Sequence, residues 1–399
     1  MTQDTSRSFS SGVNQSGVRD YNERLLLSMI QRHGPMPGSD MARQSSLSAQ
    51  TVSVILRSLE ADGLLVKGEP QRGRVGKPRI PMALNPAGSF AFGLKIGRRS
   101  ADLALMDLTG EVRAQMQIQY HFPDPDKMLT FLGEGIESMS TALDPEQRKL
   151  ICGIGIAAPF EMWKRHDIIG ADDRSYDSWQ GRDLVREATE FTELPITLVN
   201  DATSACYAEN TFGQGRRFRD YAYFFIGAFA GGGVVMNGAV FEGPRDNAGA
   251  LGSIITRDAE GRPAQLMDRA SIFWLETAIR EAGGDPAQLW SRGADWATFE
   301  DQLGPWIEMA AQELAMAALS CCAVIDFEAV LVDGAFPAAV RSRLVRRMSE
   351  LSRDIETIGL FRPEFAEGSV GANARVLGAA YRPIASQYFL GSGGLTAAR

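Results

Sequence analysis

Ten residues, QRGRVGKPRI at 71–80, place Arg72, Arg74, Lys77 and Arg79 among glycines and a proline, in a 399-residue chain whose formal net charge is −8. Such a segment suits a polyanion. Glycines let the backbone lie flat, proline stiffens it, and arginine side chains can enter the narrow, electronegative minor groove of A·T-rich DNA. Charge is also divided unevenly along the chain. Residues 1–85 hold 11 Lys and Arg against 7 Asp and Glu, which leaves 30 against 42 for the remainder. A basic N-terminal module on an acidic body is the asymmetry expected of a domain that meets nucleic acid.

Other chemistries find little support in the residue inventory. The histidines are His33, His121 and His166, and the cysteines are Cys152, Cys206, Cys321 and Cys322. Neither set has the spacing of a tetrahedral zinc site or a disulfide framework. The cysteines sit in apolar contexts and read as buried free thiols in a reducing cytoplasm. No G-x-x-x-x-G-K-[ST] loop occurs, and neither a structural metal nor a bound cofactor is expected. No basic-then-apolar signal segment opens the chain. The uncharged run YAYFFIGAFAGGGVVMNGAVF, 221–241, is long enough to cross a membrane, but three glycines and Asn237-Gly238 interrupt it. It reads as two buried strands joined by a glycine loop.

The basic segment needs elements to present it. A helix is expected from Tyr21 over YNERLLLSMIQRHG, stopped by His-Gly-Pro, and a short second helix around Ser39–Gln44. Ser48 can then cap a third helix, SAQTVSVILRSLEADG. There Val52, Ile55, Leu56 and Leu59 form one apolar stripe, and Gln50, Ser53, Val54 and Arg57 lie opposite. Helix, turn and helix with Gln and Arg outward is the helix-turn-helix layout, whose third helix enters the major groove. LLVKG and IPMAL read as short strands flanking the basic loop, so the module is a winged helix. Its candidate DNA contacts are Ser48, Gln50, Thr51, Ser53 and Arg57 on the helix, and Arg72, Arg74, Lys77 and Arg79 on the wing.

Length and an ordinary balance of 44% hydrophobic and 23% charged residues suggest two or three globular domains. The expected organisation is a loose tail (1–16), the winged helix-turn-helix (17–86) and a larger body from residue 87 onward. The body is α/β, with buried strands each followed by a loop or helix: FAFGLKIG, ICGIGIAAPF, LPITLVNDATSACYAE and CCAVIDFEAVLVDGAF.

Between about Gly17 and Pro383 the chain resembles the ROK family of repressors, open reading frames and sugar kinases, in its repressor branch. The residues that carry the resemblance are QTVSVILRSLEADGLL, RGRVGKPRIPMALNP, FGLKIG, GIGIAAPF, VNDATSACYAE, AGGGVVMNGAVFEG, NAGALGS, IDFEAVLVDGAF and GANARVLGAA. It implies a two-lobed actin/hexokinase-like (ribonuclease H-like) ATPase fold, with a first lobe (87–200), a second lobe (201–370), a C-terminal helix and tail (371–399) returning to the first lobe, and a sugar held in the cleft. It also implies double-stranded operator DNA and a carbohydrate-like effector as partners, a homodimer or dimer of dimers, and no membrane.

Departures from the family pattern bear on activity. Where its kinases open with Asp-x-Gly-Gly-Thr, this chain reads Lys95, Ile96, Gly97, Arg98, Arg99. Its second phosphate loop is GAFAGGG, with Ala228 and Phe229 in place of Thr and Gly, and the Gly-Gly beside adenosine is Asp333-Gly334. Phosphoryl transfer depends on positioning and charge neutralisation, so no enzymatic activity is expected. Of the family's sugar anchors, Asn200 and Asp201 match. Ala250 and Ser253 replace a Glu and a His, Met267 or Asp268 falls where a later Glu belongs, and the family's zinc-ligand stretch after ALGS carries no Cys or His. Asn200, Asp201 and Asp268 are the candidate ligand residues, and Asp201 also suits a helix N-cap. The expected function is a ligand-controlled transcriptional repressor of carbohydrate uptake or catabolism genes. The alternatives are a hexose kinase and a DNA-binding dimer without a ligand.

Overall fold

The computed structural model describes residues 15 to 70, 79 to 159, 178 to 258, 260 to 291 and 293 to 390. The chain forms two compact units, one comprising residues to Gly88 with those from Ala385 onward, the other Ser89–Ile384.

In the first unit, α1 (Gln15–His33) starts earlier than the apolar spacing from Tyr21 suggests. It ends where Gly34 adopts a φ of +79° and its N–H meets the Ile30 carbonyl at 2.8 Å. β1 (Met36–Pro37), α2 (Gly38–Ser45) and α3 (Ala49–Ala61) follow. Between α2 and α3 the chain turns at Ser46, whose φ of +60° is left-handed although the residue is not glycine. β2 (Leu65–Lys67) and β3 (Pro81–Leu84) pair antiparallel with Leu65 opposite Leu84, and β3 also pairs with β1, giving the order β1-β3-β2. β1 has only two residues, too short for any alternation to reveal it.

The second unit contains two five-stranded sheets of the same design. In the first lobe β4 (Phe90–Ile96), β5 (Ser100–Asp107) and β6 (Val112–Gln119) form an antiparallel meander, and β7 (Ile151–Ala158) and β8 (Ile196–Asn200) add parallel strands, in the order β6-β5-β4-β7-β8. In the second lobe β9 (Tyr221–Ile226), β10 (Ala230–Met236) and β11 (Ala239–Val240) form the meander. A small hairpin, β12 (Ile255–Arg257) with β13 (Pro263–Gln265), comes between. β14 (Ala329–Gly334) and β15 (Glu364–Glu367) then complete the order β11-β10-β9-β14-β15. The uncharged run 221–241 is thus strands, as its interruptions suggest, with one correction. Gly231, Gly232 and Gly233 lie inside β10, paired with Phe225, Phe224 and Tyr223, and not in the connecting turn. Packing explains them. A Cβ on Gly231 would stand 2.7 Å from the Ala202 Cβ, and one on Gly233 2.6 Å from the Cys206 Cβ.

Helices cover the sheets. The first lobe has α4 (Pro125–Ser140), α5 (Pro145–Arg148) and α6 (Leu184–Ala188). α7 (Asp201–Phe212) opens the second lobe, followed by α8 (Met267–Ala270), α9 (Ile272–Glu281), α10 (Glu300–Val324) and α11 (Ala338–Asp354). α10 is long and apolar enough to cross a membrane by composition alone. Its Leu303, Trp306, Leu314 and Ala318 are buried in a cluster with Phe224, Val330 and Leu344. The last helix, α12 (Ala374–Tyr388), lies against β4 and β7, where a Cβ on Gly93 or Gly155 would collide with the backbone of Ala380 or Ala379. Beyond Ala385 the chain belongs to the first unit, and the Leu390 N–H donates to Ser28 Oγ at 2.9 Å.

Candidate functional site

The outward face of α3 is built by its cap and its stripe. Ser48 Oγ accepts from the Thr51 N–H at 3.0 Å and lies 2.8 Å from Thr51 Oγ1, so both hydroxyls take part in starting the helix. Val52, Ile55, Leu56 and Leu59 are buried, as their spacing predicts, which turns Gln50, Ser53, Val54 and Arg57 to solvent. Arg57 is steadied along the helix by its Nε donating to the Ser53 carbonyl at 3.2 Å. On the wing, Arg79 is exposed and its guanidinium is 3.5 Å from an Asp40 oxygen. Arg72, Arg74 and Lys77 lie outside the described residues.

In the second unit a cleft of about 810 Å³ is lined by Asn200 and Asp201 together with Arg98, Phe229, Ala250, Ser253, Met267 and Arg375. β8 ends at Asn200, whose Oδ1 accepts from the Ala202 and Thr203 N–H groups at 3.0 and 3.3 Å. The helix cap is therefore Asn200, one residue before the expected Asp201. Asp201, at the first helical position, is left to accept from Arg375 Nη1 at 3.3 Å. Arg375 also stands 5.0 Å over the Phe225 ring. Asp268 does not line this cleft. Its carboxylate accepts from the Gln265 N–H at 3.0 Å, holding the turn between β13 and α8, and Gln265 and Met267 face the space instead.

The end of β4 and the turn after it carry cations. Lys95 is buried, with Nζ 2.9 Å from both Asp102 Oδ2 and Ser100 Oγ, and Gln117 donates to the other Asp102 oxygen at 2.6 Å. Burial, and then the charge of Arg375, lower the Lys95 ammonium to a pKa of about 8. Arg98 and Arg99 both donate to Glu276 Oε2, at 3.1 and 3.0 Å, and the Trp290 indole donates to Oε1 at 2.6 Å. Glu276 is fully buried on α9, so one carboxylate ties the first lobe to the second. Arg98 stacks 5.1 Å over Phe273, and Phe273 in turn stacks on Phe229 with centroids 6.0 Å apart.

Asp333, also fully buried, accepts from Gly334 N–H and Arg341 Nη1 through Oδ1, at 2.9 and 3.0 Å, and from Gly371 N–H through Oδ2 at 2.7 Å. Arg375 and Glu276 are the residues that sequence reasoning missed. A lone arginine inside the small-residue run GANARVLGAA was a usable signal for the first. Glu276 sits on an ordinary amphipathic helix and offered none.

A helix-turn-helix with a wing ahead of a twin-lobed cleft defines a class, and the comparisons agree with it. The ROK family model matches residues 91–264, and a winged helix-turn-helix DNA-binding model matches residues 19–66. Residues 91–264 are thus ROK-like, and a winged helix-turn-helix module precedes them. It is similar to the y4fQ protein of Sinorhizobium fredii, 25% identical over 376 residues, 93% of this chain and 92% of that one. It is also similar to the xylose repressor of Bacillus spizizenii, 23% identical over 67% of this chain and 69% of that one. With the N-acetylglucosamine repressor of Escherichia coli O6:H1 it shares 25% identity over 59% of this chain and 58% of that one. Among solved structures, a ROK family transcriptional regulator homologous to the Escherichia coli MLC protein superposes with a TM-score of 0.68 at 21% identity, covering 93% of this chain and 97% of that one. A ROK family glucokinase from Streptomyces griseus gives 0.56 at 17% identity, covering 73% of this chain and 98% of that one. Both structural likenesses concern the fold.

Proposed function

We propose that this protein is a sequence-specific DNA-binding transcriptional regulator, a repressor of carbohydrate uptake or catabolism genes. A sugar or polyol-like ligand in the Asn200–Asp201 cleft controls it, and it does not phosphorylate that ligand. The observation that carries the reading is a capped α3 with Gln50, Ser53 and Arg57 outward, on a chain whose cleft is lined by its own cations Arg98, Arg245 and Arg375. A phosphate loop works by close approach of bare backbone N–H groups. In the corresponding loop of this chain stands the Phe229 ring, stacked on Phe273 beneath Arg98, and its bulk argues against such an approach. A catalytic base must be free to take a proton, and Asp201 is engaged by Arg375. Repressors among the relatives support the same reading. The protein works in the cytoplasm as a homodimer or dimer of dimers, since paired recognition helices must reach successive major grooves.

A coupled kinase assay across common hexoses, run beside selection of bound DNA from a random pool, tests both halves. The expected result is one enriched operator sequence and no ATP-dependent product. Turnover on the order of 1 s⁻¹, the low end for kinases, would overturn the non-enzymatic reading.

A further inference from the structure

Among the outward residues of α3, Gln50, Ser53 and Arg57 are polar, and Val54 is 52% exposed. It cannot turn inward. Rotating the helix to bury it would expose Val52, Ile55, Leu56 and Leu59, which are held in the core of the module. A valine in a helix has one strongly preferred side-chain rotamer, so its two methyl groups are offered in a fixed direction with little entropy left to lose. In water that surface gains nothing. In the major groove, the one apolar feature on the base edges is the C5-methyl group of thymine.

We propose that Val54 reads a thymine methyl in the operator; the proposal rests on the DNA-binding reading above. Gln50, one turn earlier on the same face, has the amide geometry for the adenine N6 and N7 edge. Four helical residues span about 6 Å, and successive base pairs are about 3.4 Å apart. The thymine met by Val54 therefore lies within about two base pairs of the adenine met by Gln50. Arg57, held back by the Ser53 carbonyl, completes a face that alternates polar contact with one apolar contact.

The test uses the full chain. Its preferred site is selected from random DNA, each thymine is replaced singly by deoxyuridine, which removes only the methyl group, and affinities are compared by gel shift. Wild type should lose about four-fold at one thymine per half-site, the value of one buried methyl-sized group. Val54→Ala, which folds because the site is exposed, should bind less tightly and be indifferent to that replacement, and Val54→Ile should stay sensitive to it. Equal affinity of wild type for every deoxyuridine site overturns the proposal. So does a Val54→Ala variant that still loses affinity at the same thymine. If no sequence is enriched, the DNA-binding reading itself fails, and Val54 with it.

Discussion

Lys95 shows how a single residue departs from what its neighbours in sequence suggest. A cation near the end of β4 reads as a poor host for ATP. In the fold, its ammonium is turned onto Asp102 of the adjacent strand and shut off from water. The folded pKa of about 8 lies below the ordinary 10.5. Between these values the unfolded chain binds more protons than the folded one at this site, so the contribution of Lys95 to stability rises with pH across that window and is constant below it. Denaturant unfolding at pH 7 and pH 10 should show wild type gaining stability relative to a Lys95→Met/Asp102→Asn double variant. A parallel pH dependence of the two proteins would contradict the buried, depressed lysine. The cap at Ser48 and the buried stripe of α3 were readable because both are set within a few residues. The cap falls on Asn200, one position before Asp201, because Asn-Asp offers two equally good cap residues and the local sequence does not separate them.

At the scale of elements, glycines decide how close two backbones come. Gly155 on β7 faces the backbone of Ala379 on α12, with no flexible side chain between them to yield. Gly133, inside α4, has only the Phe191 ring nearby, 3.7 Å from an added Cβ. The same substitution should therefore act in opposite directions. Gly155→Ala should destabilise by about 1–3 kcal/mol through overpacking, and Gly133→Ala should stabilise by roughly 0.4–1 kcal/mol by restricting the unfolded chain and favouring helix. Thermal unfolding of the two variants against wild type reads both signs. The strands were legible as buried apolar runs, but the glycines of β10 looked like a loop, because a strand that packs directly against a helix uses the same residue type as a turn.

For the whole molecule, the two sheets share one strand order, the cleft takes residues from both lobes (Asn200 at the end of β8, Phe225 on β9, Ala230 on β10), and Glu276 links the lobes through Arg98 and Arg99. A ligand in that cleft that favours one lobe arrangement should alter operator affinity by no more than its differential affinity for the two states, typically ~1–3 kcal/mol, or roughly 5–150-fold. Asp201→Asn keeps the shape and most hydrogen bonding but removes the charge facing Arg375. It should abolish the ligand response while leaving ligand-free DNA affinity near wild type, as gel-shift titrations with and without a stabilising sugar would show. A variant that responds as wild type does would move the effector site away from Asp201.

The amino-acid order by itself determined what short-range forces decide: the capped α3 with its outward Gln50 and Arg57, and the apolar strands. What it could not contain is the meeting of residues far apart along the chain. Arg375 reaches Asp201 across 174 positions and Arg98 reaches Glu276 across 178. Only the closure of both sheets and the return of α12 bring these charges within hydrogen-bonding distance. Asp268 is claimed instead by a local contact, the Gln265 N–H three positions before it, and does not line the cleft that those long-range pairs shape.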